Sequence, residues 1–220
     1  MRNLQDRNGL VSWRSENKFH SELQEELFIV DYFNNKQNGF VLDIGAADGI
    51  TASNSFKLIN DCEWCGLLIE PCYKHFSNLK ILYEDISEIN YFFGAVNQHK
   101  KETIFYEVIQ NEIGLSNIIG ESHTRNQEFV TYQIPCLDIN SILEKYNTPK
   151  NIDFVSLDIE GSEDQVLNYW DFEKYQVELW CVEENMHSYE SFFDAHGYRK
   201  LIIPDKLIIC PYNSFYGKFA

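Results

Sequence analysis

The 220-residue chain is short of basic residues: 18 lysines and arginines stand against 34 aspartates and glutamates, for a formal net charge of −16. A partner bound through phosphate neutralisation needs a basic face, so DNA and RNA are disfavoured. The densest basic run, His99-Lys100-Lys101, meets Glu102 at once and has no interleaved aromatic for stacking on bases, so it reads as a solvated loop. Long apolar runs are missing too. No stretch approaches the roughly 18 residues of a membrane span, and the opening MRNLQDRNGLVSWRSENKFH is too polar and broken for a secretory signal. Cysteine lacks pattern rather than number. Cys62-Glu63-Trp64-Cys65 is the one C-x-x-C, with neither a second pair nor a histidine pair at zinc-site distance. Cys181 and Cys210 lie in apolar runs and read as buried small hydrophobes. The expected setting is a reducing cytoplasm with free thiols. There is no internal repeat or low-complexity tract, and 44% apolar composition suffices for one core. The expected organisation is an arm over residues 1–20 and a single domain over 21–220.

What is present is an alternation of apolar runs and helical patterns. Ser21-Glu22-Leu23-Gln24 has capping-box spacing, followed by Leu23, Leu27 and Val30, and predicts a helix over about Glu22–Phe33. Gly39–Leu42 reads as a buried strand with Asp43 at its carboxyl end, and the turn Gly45-Ala46-Ala47-Asp48-Gly49 leads into a helix over Thr51–Ile59. Cys65–Ile69 is a second strand ending in Glu70-Pro71, and Ile89–Val96 a third. Thr103–Ile109 suits an additional strand, whereas Asn111–Gln127 reads as a long loop of the kind that serves as a lid and contains His123. Asp138 is placed to cap a helix carrying Ile139, Ile142, Leu143 and Tyr146. Ile152–Leu157 is a strand closing on Asp158-Ile159-Glu160-Gly161, and Ser162-Glu163-Asp164-Gln165 has capping-box spacing for the next helix. Val177–Val182 is the fifth parallel strand, ending in Glu183-Glu184-Asn185. Tyr198–Ile203 and Lys206–Cys210, around Pro204-Asp205, suit a closing hairpin. The expected fold is α/β: a mostly parallel sheet with helices on both faces and a C-terminal antiparallel hairpin.

In such a sheet ligands bind beyond the carboxyl ends of the strands, and here those ends carry Asp43, Glu70, Asp158, Glu160 and Glu183. The first turn lacks the full G-x-G-x-x-G pattern, because Ala47 stands where a second glycine would admit a pyrophosphate. Glu70 follows Gly49 by 21 positions, near the roughly 20 expected of an acid that accepts ribose hydroxyls. A ligand with ribose and a cationic centre but no phosphate fits, and S-adenosylmethionine is the common one. Asp43 or Asp48 could balance its charge. The plainer alternative makes Asp43 a turn cap and Glu70 a solvated strand end.

The segments FVLDIGAADGITASNSF, GLLIEP, GLSNII, IPCLDINSIL, IDFVSLDIEGSEDQVL and VEENMHSYESFFDAHGY occur in an order that resembles the FkbM-type methyltransferases, over about Ser21–Ile209. The resemblance implies a class I, Rossmann-like S-adenosylmethionine-dependent fold acting on a hydroxyl of a sugar, glycolipid, polysaccharide or natural product. By position, Asp43, Gly45, Ala46 and Asp48 match the cofactor loop, Glu70 the ribose acid, and Gly94 and Ala95 the adenine edge. Asp158, Glu160, Gly161 and Glu163 match the second signature, with Asp158 also placed beside the cofactor, and Glu183 and Asn185 the polar pair after the fifth strand. The chain departs from the pattern in being short and in placing Glu184 between that pair.

A sugar hydroxyl must lose a proton on methylation, which calls for a base or a metal ion. Asp158 is the first expectation for the base, with Glu160 and His187 behind it. Asp158, Glu183 and Asn185 would also suit Mg²⁺. Against these stand duller roles: helix-dipole electrostatics for Glu160 and Glu163, and solvent exposure for His187. The acid-rich balance favours a neutral or cationic acceptor; the expected partner is a sugar or glycan hydroxyl, with self-association into a homo-oligomer left open. Two other classes stay in view, a nucleotide-dependent oxidoreductase and a catalytically silent binding domain.

Overall fold

The structure is a computed structural model that describes residues 20–109, 128–184 and 187–218. In chain order its elements are α1 (Glu25–Tyr32), β1 (Phe40–Ile44), α2 (Phe56–Asp61), β2 (Cys65–Glu70), α3 (Tyr73–Leu82), β3 (Ile89–Phe93), β4 (Ala95–Val96), β5 (Glu102–Val108) and β6 (Phe129–Leu137). These are followed by α4 (Ile139–Lys145), β7 (Asn151–Leu157), α5 (Asp164–Leu167), β8 (Gln176–Glu183), α6 (Glu190–Ala195), β9 (Tyr198–Lys200) and β10 (Asn213–Lys218).

Seven strands form the main sheet in the order β3-β2-β1-β7-β8-β10-β9. From β3 to β8 all neighbours are parallel, and β10 runs antiparallel between β8 and β9. The expected α/β fold with its C-terminal hairpin is therefore the fold observed. Strands buried on both faces read as continuous apolar runs, and β1, β2 and β7 do so. Alternation then sorts their side chains between two cores. Leu42, Ile44, Leu67, Ile69, Val155 and Leu157 face α4, α5 and α6 through Ile142, Leu143, Val166 and Phe193. Val41, Leu68, Phe154 and Leu179 face α1, α2 and α3 through Ile29, Phe56, Ile59 and Leu79. The chain leaves β1 in one direction for β2 and β3 and resumes on its other side at β7, so the strand order reverses between β1 and β7, where a crevice opens at the carboxyl ends.

Local boundaries differ from expectation where side chains capture backbone groups. The first helix begins at Glu25 rather than Glu22, because the reciprocal bonds run between Ser21 and Glu26. Ser21 Oγ accepts from the Glu26 N–H at 3.2 Å, and the Glu26 carboxylate accepts from the N–H groups of His20 and Ser21 at 3.0 and 3.3 Å. The second helix is delayed to Phe56, since Asp48 takes the N–H groups of Ile50 and Thr51, and Ser53 Oγ that of Phe56. Asp138 caps α4 as expected, accepting from the Ser141 N–H at 2.9 Å. The helix after Gly161 does start at Asp164, but without a side-chain cap: the Glu163 carboxylate turns back to the N–H groups of Ile159 and Gly161.

Three strand expectations need correction. The third strand breaks at Gly94 (φ +146), where a Cβ would lie 2.5 Å from the Pro135 carbonyl oxygen, and Ala95-Val96 leaves the main sheet to pair with β6. β6 had no counterpart in the sequence reading; with β4 and β5 it makes a second, three-stranded sheet. The closing hairpin pairs Tyr198–Lys200 with Asn213–Lys218, not with Lys206–Cys210. In that segment the N–H groups of Ile208 and Cys210 go to the Gln24 and Glu25 side chains, which removes them from any ladder. The expected lid, with His123, lies outside the described residues, as does Asn185.

Candidate functional site

A cleft open to solvent, spanning about 980 Å³ when the open space at its mouth is counted, lies over the carboxyl ends of β1, β2 and β7. The glycine turn, through Gly45, Ala46 and Ala47, forms part of its wall. The N–H groups of Gly45 and Ala46 donate to the Ile69 carbonyl at 3.0 and 3.1 Å, and the Asp158 N–H donates to the Ile44 carbonyl at 3.0 Å, so the turn is tied to both neighbouring strands. Gly45 (φ +94) sits so close to β7 that a Cβ would fall 1.7 Å from the Asp158 carbonyl oxygen. Ala47 adopts φ +48, and its N–H is taken by Glu70 Oε2 at 2.8 Å rather than offered to an anion.

The acids hold the cleft together as well as charging it. Asp43 is buried and accepts from Ser55 Oγ at 2.5 Å; burial pushes its carboxyl up to about 7 despite that bond. Glu70 is buried too, and accepts from the Ala47 N–H and, through Oε1, from the Cys72 N–H at 2.7 Å. Desolvation outweighs these bonds and raises it to about 8. Two bonds leave a carboxylate with two unused lone pairs, enough for a pair of ligand hydroxyls. On the far side Asp158, Glu160 and Glu183 bring carboxylate oxygens within 4.8 Å of one another. Desolvation, then the charges of Asp158 and Glu160, raise Glu183 to about 10. Asp158 is open to the cleft, yet the surrounding walls strip its hydration and raise it also, against the opposing hydrogen bond from Glu183. At neutral pH these carboxyls share at least one proton. Among the described residues, neither lysine nor arginine lines the cleft.

Of the residues singled out in the sequence, Asp43, Gly45, Ala46, Glu70, Gly94, Ala95, Asp158 and Glu160 line this space. Asp48 does not: its carboxylate is spent inside the turn, on the N–H groups of Ile50 and Thr51 and the Thr51 hydroxyl. His187 is exposed, outside the cleft lining, with Nε2 3.7 Å from Asp164 Oδ1. Glu163 bonds the loop after β7. The additional acid Glu184 points away from the acid cluster, as alternation along a strand end requires, and joins Lys200, Ser214, Tyr216 and the Tyr189 N–H; these donors hold it at about 2 against burial. Sequence reasoning missed Asn54, Cys72, His75, Phe105 and Ser156, which also line the cleft. Phe105 arrives from the second sheet, and no local signal announces it.

A profile described as the methyltransferase FkbM domain matches residues 43–206, most of the chain. The chain belongs to the FkbM-domain methyltransferase family. Membership makes it an S-adenosylmethionine-dependent methyltransferase. Among solved structures it is similar in fold to a methyltransferase from Geobacter sulfurreducens, with 11% identity, a TM-score of 0.50, and coverage of 95% of this chain and 86% of that one. A precorrin-6y C5,15-methyltransferase from Geobacter metallireducens shows 10% identity, a TM-score of 0.47 and coverage of 90% and 89%. M. capricolum TrmK, bound to S-adenosyl-homocysteine, shows 13% identity, a TM-score of 0.43 and coverage of 86% and 66%. No protein of curated function matches the chain.

Proposed function

We propose that the FkbM-domain methyltransferase transfers the methyl group of S-adenosylmethionine to a hydroxyl oxygen of a sugar, glycan, glycolipid or related metabolite. The observation that carries this reading is the carboxyl cluster of Asp158, Glu160 and Glu183 beside the glycine turn, a proton acceptor set where an acceptor hydroxyl would meet the donor. On the donor side Gly45 and Ala46 supply close backbone approach, Asp43 faces the cationic end, Glu70 receives the ribose hydroxyls, and Gly94 and Ala95 border the adenine. The donor supplies a methyl group on a positive sulfur. The acceptor oxygen forms the new C–O bond as the C–S bond breaks, the sulfur keeps the electron pair and becomes neutral, and the hydroxyl proton passes to Asp158. Placing oxygen and methyl close and collinear is the enzyme's main contribution to the rate. The acidic lining of the cleft, with Asp43, Glu70, Asp158 and Glu160 and no lysine or arginine among the described residues, supports a neutral or cationic acceptor.

A hard cation such as Mg²⁺ on Asp158 and Glu183, with Asn185 as a third ligand, is a second reading; the 4.8 Å grouping of Asp158 and Glu183 oxygens supports it, and turnover that survives exhaustive chelation removes it. The six free thiols support a reducing, cytoplasmic setting. Among the described residues no helix is long and apolar enough to cross a membrane.

The test pairs donor binding with turnover. Calorimetric titration is expected to show S-adenosylmethionine binding and no NAD binding. Asp158→Asn is expected to keep donor affinity within a few-fold while lowering kcat with a sugar-hydroxyl acceptor by about 10²–10⁴. Unchanged kcat in that variant removes Asp158 as the base; absence of donor binding removes the assignment of this cleft.

A further inference from the structure

Two side chains in the cleft, Cys72 and His75, have no part in the reaction just described, and they stand beside Glu70, which does. Glu70, Cys72 and His75 bring a carboxylate oxygen, the thiol sulfur and an imidazole nitrogen within 4.8 Å of one another, and all three residues line the cleft. We propose that Glu70, Cys72 and His75 form a site for a borderline-soft divalent metal of the zinc class, and that metal and methyl donor exclude each other there. The exclusion rests on the proposed role of Glu70 toward the donor's ribose.

The geometry is close to what such an ion needs. Tetrahedral zinc with bonds of about 2.0–2.3 Å sets its ligand atoms roughly 3.3–3.8 Å apart, so side-chain rotations of about an ångström complete the set. The backbone is already placed. Glu70 ends β2, whose five pairs to β1 and five to β3 fix it in the sheet, and Cys72 and His75 flank the start of the ten-residue helix α3. The N–H groups of Lys74 and His75 face the Cys72 sulfur, and the positive end of a helix favours a thiolate. Once ionised, Glu70 has an unused lone pair on each oxygen beyond its two backbone bonds. Desolvation lowers the His75 pKa, which keeps the ring neutral and able to ligate. One carboxylate, one thiolate and one imidazole suit zinc rather than Mg²⁺, which prefers oxygen alone. Three protein ligands leave the fourth position to the cleft.

Burial opposes the site in its metal-free form by pushing the Cys72 thiol up to about 11. The metal must therefore displace that proton, and affinity rises with pH while protons are released. The balance is simple: the Cys72 S–H bond and the Glu70 O–H bond break, S–metal and O–metal bonds form, and both protons leave to buffer, with no change in oxidation state.

The experiment titrates the full chain with Co²⁺ and then Zn²⁺, first without donor. Co²⁺ is expected to give a thiolate-to-metal absorption that Zn²⁺ displaces. Cys72→Ser is expected to abolish that absorption. Serine is itself a good helix cap, so the local fold survives the exchange. His75→Ala is expected to weaken Co²⁺ by about tenfold or more, whereas Cys62→Ser/Cys65→Ser leaves it unchanged. Absence of the thiolate absorption, or its persistence in Cys72→Ser, overturns the site. Added S-adenosylmethionine is expected to release the metal, and simultaneous binding without mutual loss overturns the exclusion. Failure of the donor to bind the metal-free chain counts against the proposed function instead, and the metal titration still judges the site alone.

Discussion

Gly45→Ala tests whether the cleft depends on the approach of β1 to β7. The alanine Cβ would stand 1.7 Å from the Asp158 carbonyl oxygen and 2.9 Å from its carbon, both backbone atoms with no side-chain freedom to yield. Real Cβ contacts almost never fall below 3.0 Å, so the strand ends must part by about 1.3 Å. Overpacking of this kind costs roughly 1–3 kcal/mol, and the left-handed backbone at φ +94 adds about 1 kcal/mol for a residue with a Cβ. The sum, roughly 2–4 kcal/mol, corresponds to a fall in Tm of about 5–15 °C for a chain of this length. Gly197 is the control. Its φ of +82 carries the same backbone penalty, but nothing lies within 4 Å of its Cβ position, so Gly197→Ala is expected to cost only about 1 kcal/mol, or 2–4 °C. Thermal unfolding by circular dichroism reads the stabilities, and calorimetry reads the donor, whose affinity is expected to drop about tenfold or more in Gly45→Ala and to hold in Gly197→Ala. Equal Tm losses in the two variants, or full donor affinity in Gly45→Ala, would refute the reasoning.

The raised carboxyls set a pH dependence of known sign. Asp43 at about 7 and Glu70 at about 8 bind protons in the folded state that the unfolded chain has already released, so stability is greatest near pH 4–5 and falls as pH rises through 7 and 8; urea unfolding at pH 5 and pH 8 checks it, and a flat profile contradicts it. Glu184, held at about 2, acts in the opposite sense, and its contribution disappears as pH drops from the ordinary carboxylate range toward 2. Glu184→Gln, which leaves Lys200 without its countercharge and one hydroxyl unmatched, is expected to cost about 2–4 kcal/mol in the same assay, and a change below 0.5 kcal/mol would remove it as an organiser of β8, β9 and β10. Asp138→Ala removes the cap of α4 and is expected to cost about 1 kcal/mol, with Asp138→Asn close to neutral in Tm.

The central strands were legible because burial on both faces leaves no choice of residue: FVLDI, CGLLI and IDFVSL are apolar almost throughout, and such runs have one stable arrangement, side by side beneath helices. β6 was illegible for the opposite reason. FVTYQIPCL exposes Thr131, Gln133 and Pro135 on one face and buries only Ile134 and Cys136 on the other, and its proline argues against a strand until β5 pairs with it across seven residues. That Asp43, Glu70 and Asp158 meet at one cleft could be read because topology alone sends these strand ends together. Asp48 looked the same in sequence as Asp43, and only the three donors around its carboxylate reveal that it serves the turn. Cys72, His75 and Phe105 gave no signal, since their meeting depends on how α3 and the second sheet close over the crevice.

The distribution of protons in the cleft follows from the chemistry proposed for it. Methyl transfer starts with a positive sulfur and ends with a neutral one, so a full negative charge beside the sulfur would bind the starting state better than the transition state and slow the reaction. Acids that hold the donor are then best kept buried and partly protonated. Asp43 at about 7 and Glu70 at about 8 are in that condition, each fixed by hydrogen bonds to the chain and each able to ionise when a cation arrives. The acceptor side has the reverse need, because a hydroxyl becomes a better nucleophile as its proton moves to a base. Glu183, at about 10, retains its proton and gives Asp158 a hydrogen bond, which favours the ionised form of Asp158, the group open to the cleft. One carboxyl of the pair thus stores a proton so that the other can take one. Glu183→Gln preserves a donor to Asp158 and is expected to retain turnover, whereas Glu183→Ala removes that donor and is expected to shift the acidic limb of the kcat profile to higher pH.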